Sequence, residues 1–167
     1  TLSLHDALPI FHTTYGTTDY LKAQYLGCKF VNYYFAYGSN MNIERMVSRN
    51  LKVISACSAR LQGFGLRFNK RSRRDATLAC ANIAYAPNER VEGVLYQLEN
   101  NSEIIKLDPH EGSPFYYSRE QFWVQSDDGQ VATWIYVANP AVIDNSIKPA
   151  RWYVEHLLAG KSFLTPE

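Results

Sequence analysis

From Val31 onward the chain alternates dense apolar runs with short polar breaks. Val31 to Tyr37 is rich in aromatic and β-branched side chains and stops at Gly38, the pattern of a buried strand. Ser39 or Asn40 then fits a helix cap. Met41, Ile43 and Met46 carry the apolar positions to about Arg49, with Glu44 near the first turn. Val53 to Ala59 and Phe64 to Phe68 predict two strands, with Gly63 and Gly65 marking a turn or bulge. Asn69 to Asp75 reads as an exposed basic loop. Leu78 to Tyr85 and Val91 to Leu98 predict two further strands, joined by a turn over Ala86 to Arg90.

Asn100 or Asn101 can cap a short helix carrying Ile104, Ile105 and Leu107. Asp108-Pro109 is expected to end it, because the residue before proline avoids the helical region. Phe115 to Gln125 and Val131 to Ala138 alternate, and Ser126-Asp127-Asp128-Gly129 between them is a hairpin signal. Pro149 opens a last helix over about Ala150 to Ala159, with Gly160 placed as its C′ residue. Many strands with a few short helices predict an α+β domain built on a mixed, curled or barrel-like sheet.

Composition narrows the class. The 167 residues, 46% apolar and 20% charged with net charge +1, describe one ordinary globular domain. Near-neutral charge argues against a dedicated nucleic-acid binder. No apolar run reaches the roughly 20 residues of a membrane span, so no membrane association is expected. Cys28, Cys57 and Cys80 form no Cys-x-x-Cys pair and leave one cysteine over, which fits reduced thiols in a cytoplasmic protein. Residues 1–10 resemble, codon for codon, one reading frame of a common short-read sequencing adapter and are expected to be non-native. Residues 11–30 carry no strong period and form an uncertain extension, which leaves 31–167 as the single domain. The polar stretch ending at Glu167 points to a clipped C-terminus.

Two segments carry candidate chemistry. A strand that stops at Tyr37-Gly38-Ser39-Asn40 and re-emerges as a helix presents backbone N–H groups suited to a carboxylate or an oxyanion. A capped helix following a strand has the same pattern. Ser39 lacks the glycine framework of a nucleophile elbow, and the turn lacks the Gly-Lys-Ser/Thr of a P-loop. Ser39 is therefore a binding residue rather than a nucleophile. In Leu107-Asp108-Pro109-His110-Glu111-Gly112, Glu111 precedes a glycine close to Phe115, Tyr116 and Tyr117. In an apolar pocket its carboxyl would be shifted toward proton exchange near neutral pH; a solvated loop glutamate is the plainer alternative. No spacing of His, Cys, Asp and Glu resembles a metal site.

Together these segments resemble the γ-glutamylcyclotransferase-like family. Tyr34-Phe35-Ala36-Tyr37-Gly38-Ser39-Asn40-Met41 is similar to its signature turn. Arg60 to Phe64, Val91 to Tyr96, Leu107-Asp108 with Glu111-Gly112, and Lys148-Pro149 through Tyr153 to Gly160 follow in the family's order. The resemblance implies cyclisation of a small-molecule γ-glutamyl amide to 5-oxoproline, with release of an amine or amino acid and without metal or organic cofactor. It also implies Glu111 as general acid/base, and Tyr34, Phe35, Ala36, Tyr37, Gly38, Ser39 and Asn40 as the glutamyl site. Tyr153 and Tyr117 would wall that site. Pro109-His110 ahead of the glutamate departs from the family pattern. Rival readings are a γ-glutamyl or carboxylate-binding module without turnover, and a nucleic-acid binder through Arg67, Lys70, Arg71, Arg73 and Arg74. Substrate and oligomeric state stay open at this level.

Overall fold

In the computed structural model, which describes residues 31–166, five strands close into a barrel in the order β1-β3-β2-β4-β5. The expectations for residues 1–30, Cys28 among them, lie outside the described residues. β1 (Tyr33–Ala36) pairs antiparallel with β3 (Ala79–Leu98), which pairs antiparallel with β2 (Val53–Arg71). β4 (Tyr117–Ser126) joins β2 and makes a hairpin with β5 (Gly129–Ala138). β1 and β5 run parallel where Tyr34 meets Trp134, which closes the ring. The sheet is thus mixed and barrel-like, as predicted. Phe35, Met46, Val94, Leu98, Leu107 and Ile135 are fully buried in the single core.

Where four strands were predicted between Val53 and Leu98, there are two long ones of 19 and 20 residues. The expected turn at Ala86 to Arg90 is an excursion within β3. Gln62 faces Arg90 and Phe64 faces Tyr85, so Gly63 alone stands opposite residues 86–89. Gly63 has φ +79°, a conformation that glycine adopts without steric cost. The basic loop also starts later than predicted. Asn69 to Arg71 complete β2, and Lys70, paired with Cys80, is buried.

The connections were misjudged in ways that matter for the site. After β1 comes a single 3-10 turn, Ser39–Met41, and only then helix α1 (Ile43–Ser48). Its cap is Asn42, whose Oδ1 accepts from the Glu44 N–H at 2.9 Å, rather than Ser39 or Asn40. Asn42→Ala is expected to cost about 1 kcal/mol, seen as a lower denaturation midpoint with an unchanged m-value. Pro109 does not end a helix either. The 3-10 turn Glu103–Leu107 runs into α2 (Asp108–Glu111), where Pro109 takes the second position and its missing N–H is no loss. Gly112 closes that helix at φ +69°.

Helix α3 (Arg151–Leu158) buries Tyr153 and Leu157. Gly160 follows at φ −94°, so it is no left-handed cap. Glycine is required there by close approach: a Cβ would stand 2.7 Å from Met41 Cβ. The end of α3 closes directly onto the turn after β1.

Candidate active site

At one end of the barrel, that turn borders a narrow cleft lined by Tyr34, Gly38, Ser39, Asn40, Tyr117 and Tyr153, with Tyr37, Ala81 and Tyr136 behind them. Five tyrosines converge from four elements: Tyr34 on β1, Tyr117 on β4 and Tyr136 on β5, Tyr37 from the residue after β1, and Tyr153 from α3. Each is tied by its hydroxyl. Tyr37 donates to the Tyr136 carbonyl, Tyr117 to the Ala81 carbonyl at 2.7 Å, and Tyr136 to Asp108 Oδ1 at 2.6 Å. Tyr153 accepts from the Ala81 N–H at 2.8 Å, and Tyr34 accepts from Asn40 Nδ2 at 2.7 Å. Outside the cleft, Tyr96 donates to the carbonyls of Asn40 and Met41 at 3.0 and 3.1 Å, which fixes the turn from below. Burial is the first cause pushing the Tyr34, Tyr37, Tyr117, Tyr136 and Tyr153 phenols far above their ordinary range. Burial therefore favours the neutral, hydrogen-bonding form of each phenol.

Glu111, the last residue of α2, projects into the mouth of this cleft. Its Oε1 accepts from Arg49 at 2.8 Å and from Asn40 Nδ2 at 3.1 Å, and Arg49 also donates to Asn40 Oδ1 at 2.8 Å. The three side chains close a triangle, with Glu111 and Arg49 only 16% and 11% exposed. The environment foreseen for Glu111 was an apolar pocket. The structure instead supplies a guanidinium and an amide, and these orient one oxygen while the second stays outside the triangle.

Beyond Glu111 the cleft opens into an outer chamber of about 420 Å³, which shares Ser39, Glu111, Tyr117 and Tyr153 with it. Arg45, Arg49, Lys70, Arg73 and Arg74 border this chamber. His156 stands behind it, 3.1 Å from Arg45 and 3.2 Å from Asn42. Burial first, then Arg45 and Arg49, hold its pKa below the ordinary value of about 6.5. A folded-state pKa below the unfolded one means that the unfolded chain takes up the proton first as pH falls. Stability is therefore expected to decline as pH drops through about 6.5, and His156→Gln to flatten part of that decline in thermal melts. A slope identical in both proteins would rule out His156 as a cause.

Of the residues named from sequence, Tyr34, Tyr37, Gly38, Ser39, Asn40, Glu111, Tyr117 and Tyr153 come together around the cleft. Phe35 and Ala36 do not. Both are fully buried and line neither cavity. Phe35 points to the side of β1 opposite Tyr34, and the Ala36 backbone is covered by β3 at Gly93. Arg49, Tyr136 and Ala81 were missed. Inward alternation on β5 was a signal for Tyr136, whereas nothing local marks Arg49 as the partner of a carboxylate 62 residues away. Of the basic segment, Arg67 forms a bidentate pair with Glu89 at 2.9 Å, while Lys70, Arg73 and Arg74 border the chamber. No group of three or more His, Cys, Asp or Glu among the described residues is placed to hold a metal ion. No helix among them is long and apolar enough to cross a membrane.

Comparison with known proteins follows the same geometry. The chain is similar to the γ-glutamylcyclotransferases of Mus musculus (42% identical over 83 residues) and Homo sapiens (40% over 82). Each match covers 47% of this chain and 43% of the relative, so it spans less than half of each curated protein. Among solved structures, a γ-glutamyl cyclotransferase superposes with a TM-score of 0.65 at 29% identity, covering 78% of both chains. YkqA of Bacillus subtilis superposes at 0.70 and 23% identity over 80% of this chain and 49% of its own, a likeness of fold alone. The family model described as γ-glutamyl cyclotransferase, AIG2-like, matches residues 34–154, from the first cleft tyrosine to the middle of α3. This chain belongs to the γ-glutamyl cyclotransferase, AIG2-like family.

Proposed function

We propose that this protein cyclises γ-glutamyl amides to 5-oxoproline, with Glu111 as its general acid and base. The observation that carries the proposal is the position of Glu111: held by Arg49 and Asn40, it stands where a tyrosine-walled cleft meets a larger chamber. That junction is where the scissile amide of a glutamyl group seated in the cleft would lie.

The chemistry then follows from the neighbours. The glutamyl α-ammonium gives a proton to the Glu111 carboxylate, and the freed amine attacks the γ-carbonyl carbon to form the ring C–N bond. The resulting oxyanion calls for donors, and the turn Gly38-Ser39-Asn40 offers backbone N–H groups and the Ser39 hydroxyl. Protonated Glu111 returns its proton to the departing nitrogen as the oxyanion collapses and the original amide bond breaks. The carboxylate so regenerated takes the second proton from the ring nitrogen and passes it to the released amine. One carboxylate serves each transfer. Ring closure is intramolecular, so holding the chain folded supplies much of the acceleration. The neutral, tethered phenols of Tyr34, Tyr117 and Tyr153 suit that holding role. Free thiols at Cys57 and Cys80 support placing the protein in a reducing compartment, the cytoplasm.

A panel of γ-glutamyl amino acids, γ-glutamylamines and glutathione, with 5-oxoproline read by mass spectrometry, tests the assignment. Steady formation from at least one member is expected. Absence of 5-oxoproline from every member would remove it.

A further inference from the structure

The outer chamber has a charge imbalance that cyclisation does not use. Of its five bordering cations, Arg49 is committed to Glu111, the chamber's own carboxylate. Arg45, Lys70, Arg73 and Arg74 pair with no carboxylate among the described residues. Two of these four are held at a cost. Lys70 is 3% exposed, and its ammonium lies over the rings of Tyr116 and Tyr117 at 5.0 and 4.8 Å. Arg45 Nε is buried without a hydrogen-bond partner. Buried charge of this kind is stabilised when an anion arrives and destabilised otherwise. Burial accordingly holds the Lys70 pKa below its ordinary value, a shift that a bound anion would reverse.

Arg73 adds direction. It donates to the Pro109 carbonyl at 2.8 Å and stacks on Tyr116 at 5.3 Å, which fixes a loop cation beside the helix that carries Glu111. Arg74 follows it, exposed on the same rim. A leaving group with one α-carboxylate would neutralise one of the four cations and leave three repelling one another.

We propose that the chamber selects γ-glutamyl compounds whose released half carries two carboxylates, an acidic amino acid in place of a neutral one or an amine. This rests on the cyclisation reading for the orientation of the substrate, glutamyl end in the cleft and leaving half in the chamber. The guanidinium fork matches carboxylate geometry, and the recessed Lys70 supplies a point charge beside Tyr117.

Binding decides it without turnover. In the Glu111→Gln protein, calorimetry would compare γ-glutamylglutamate with γ-glutamylalanine. At least tenfold tighter binding of the former is expected at low salt, shrinking as salt is raised. Adding Lys70→Met or, on the exposed rim, Arg74→Gln is expected to cut that ratio at least threefold. Arg74→Gln alters no buried group, so it remains informative if Lys70→Met fails to fold. Equal affinities for the two compounds, or a preference that Arg74→Gln leaves unchanged, would overturn the proposal. Failure of the cyclisation reading shows elsewhere, as absence of 5-oxoproline from the wild-type protein with every substrate.

Discussion

Glu111→Gln is expected to lower kcat by about 10³-fold while leaving substrate affinity within a few-fold of wild type. Glutamine keeps the length of the side chain and an oxygen that can accept from Arg49 and Asn40, the two groups that now hold Glu111 at 2.8 and 3.1 Å. What it loses is the ability to take the ammonium proton and return it to the leaving nitrogen. Both transfers depend on this carboxylate, and the neighbouring phenols are held neutral by burial, so none of them takes over. Initial rates of 5-oxoproline formation, with calorimetry of the same substrate, measure the two quantities separately. A kcat within tenfold of wild type would move the acid/base role to another residue. A protein that binds γ-glutamyl ligands with no turnover in either form would be a binding module.

The second large effect concerns the scaffold. Gly93→Ala is expected to destabilise the fold by about 3 kcal/mol, at the upper end of overpacking costs. Gly93 faces Ala59 on β2 and precedes Val94, the partner of Ala36 on β1. A Cβ there would overlap the Ala36 carbonyl oxygen and stand 2.9 Å from Phe35 Cζ. A flexible side chain could swing away, but backbone cannot move without carrying β1 with it. β1 bears Tyr34 and leads into the turn at Gly38, so catalysis should fall along with stability. Urea unfolding gives the free-energy change, and 5-oxoproline formation by the fraction still folded gives the rest. A change below about 1 kcal/mol would mean that β3 can shift locally, and that the β1–β3 approach is less tight than described.

Legibility in the sequence tracked the range of the interactions. β1, its end at Gly38 and the β4–β5 hairpin were readable because aromatic runs, a glycine and the Asp127-Asp128-Gly129 turn act over a few residues, whereas the cap at Asn42 was not. The continuity of β2 and β3 was hidden by the devices that bend them. Gly63 and residues 86–89 look like two turns in one dimension and form one bulge in the paired ladder. Lys70 looked solvated because it sits in a run of arginines, yet β2 extends far enough to bury it. The candidate site divided along the same line. Tyr34, Tyr37, Ser39 and Asn40 came from the motif around Gly38, and Glu111, Tyr117 and Tyr153 from a likeness across the family. The triangle with Arg49 and Asn40 exists only once α1 and α2 are folded against the barrel mouth. Phe35 and Ala36 were swept in by motif contiguity, although alternation along β1 sends Phe35 away from the cleft.

The central claim is that the γ-carbonyl is attacked by the substrate's own amine rather than by water. Turnover of a γ-glutamyl amino acid in H₂¹⁸O, with products identified by mass spectrometry, tests it most directly. The expected result is unlabelled 5-oxoproline released one-for-one with the free amino acid. Glutamate carrying one ¹⁸O in its γ-carboxylate would contradict it, because Glu111 would then be activating water.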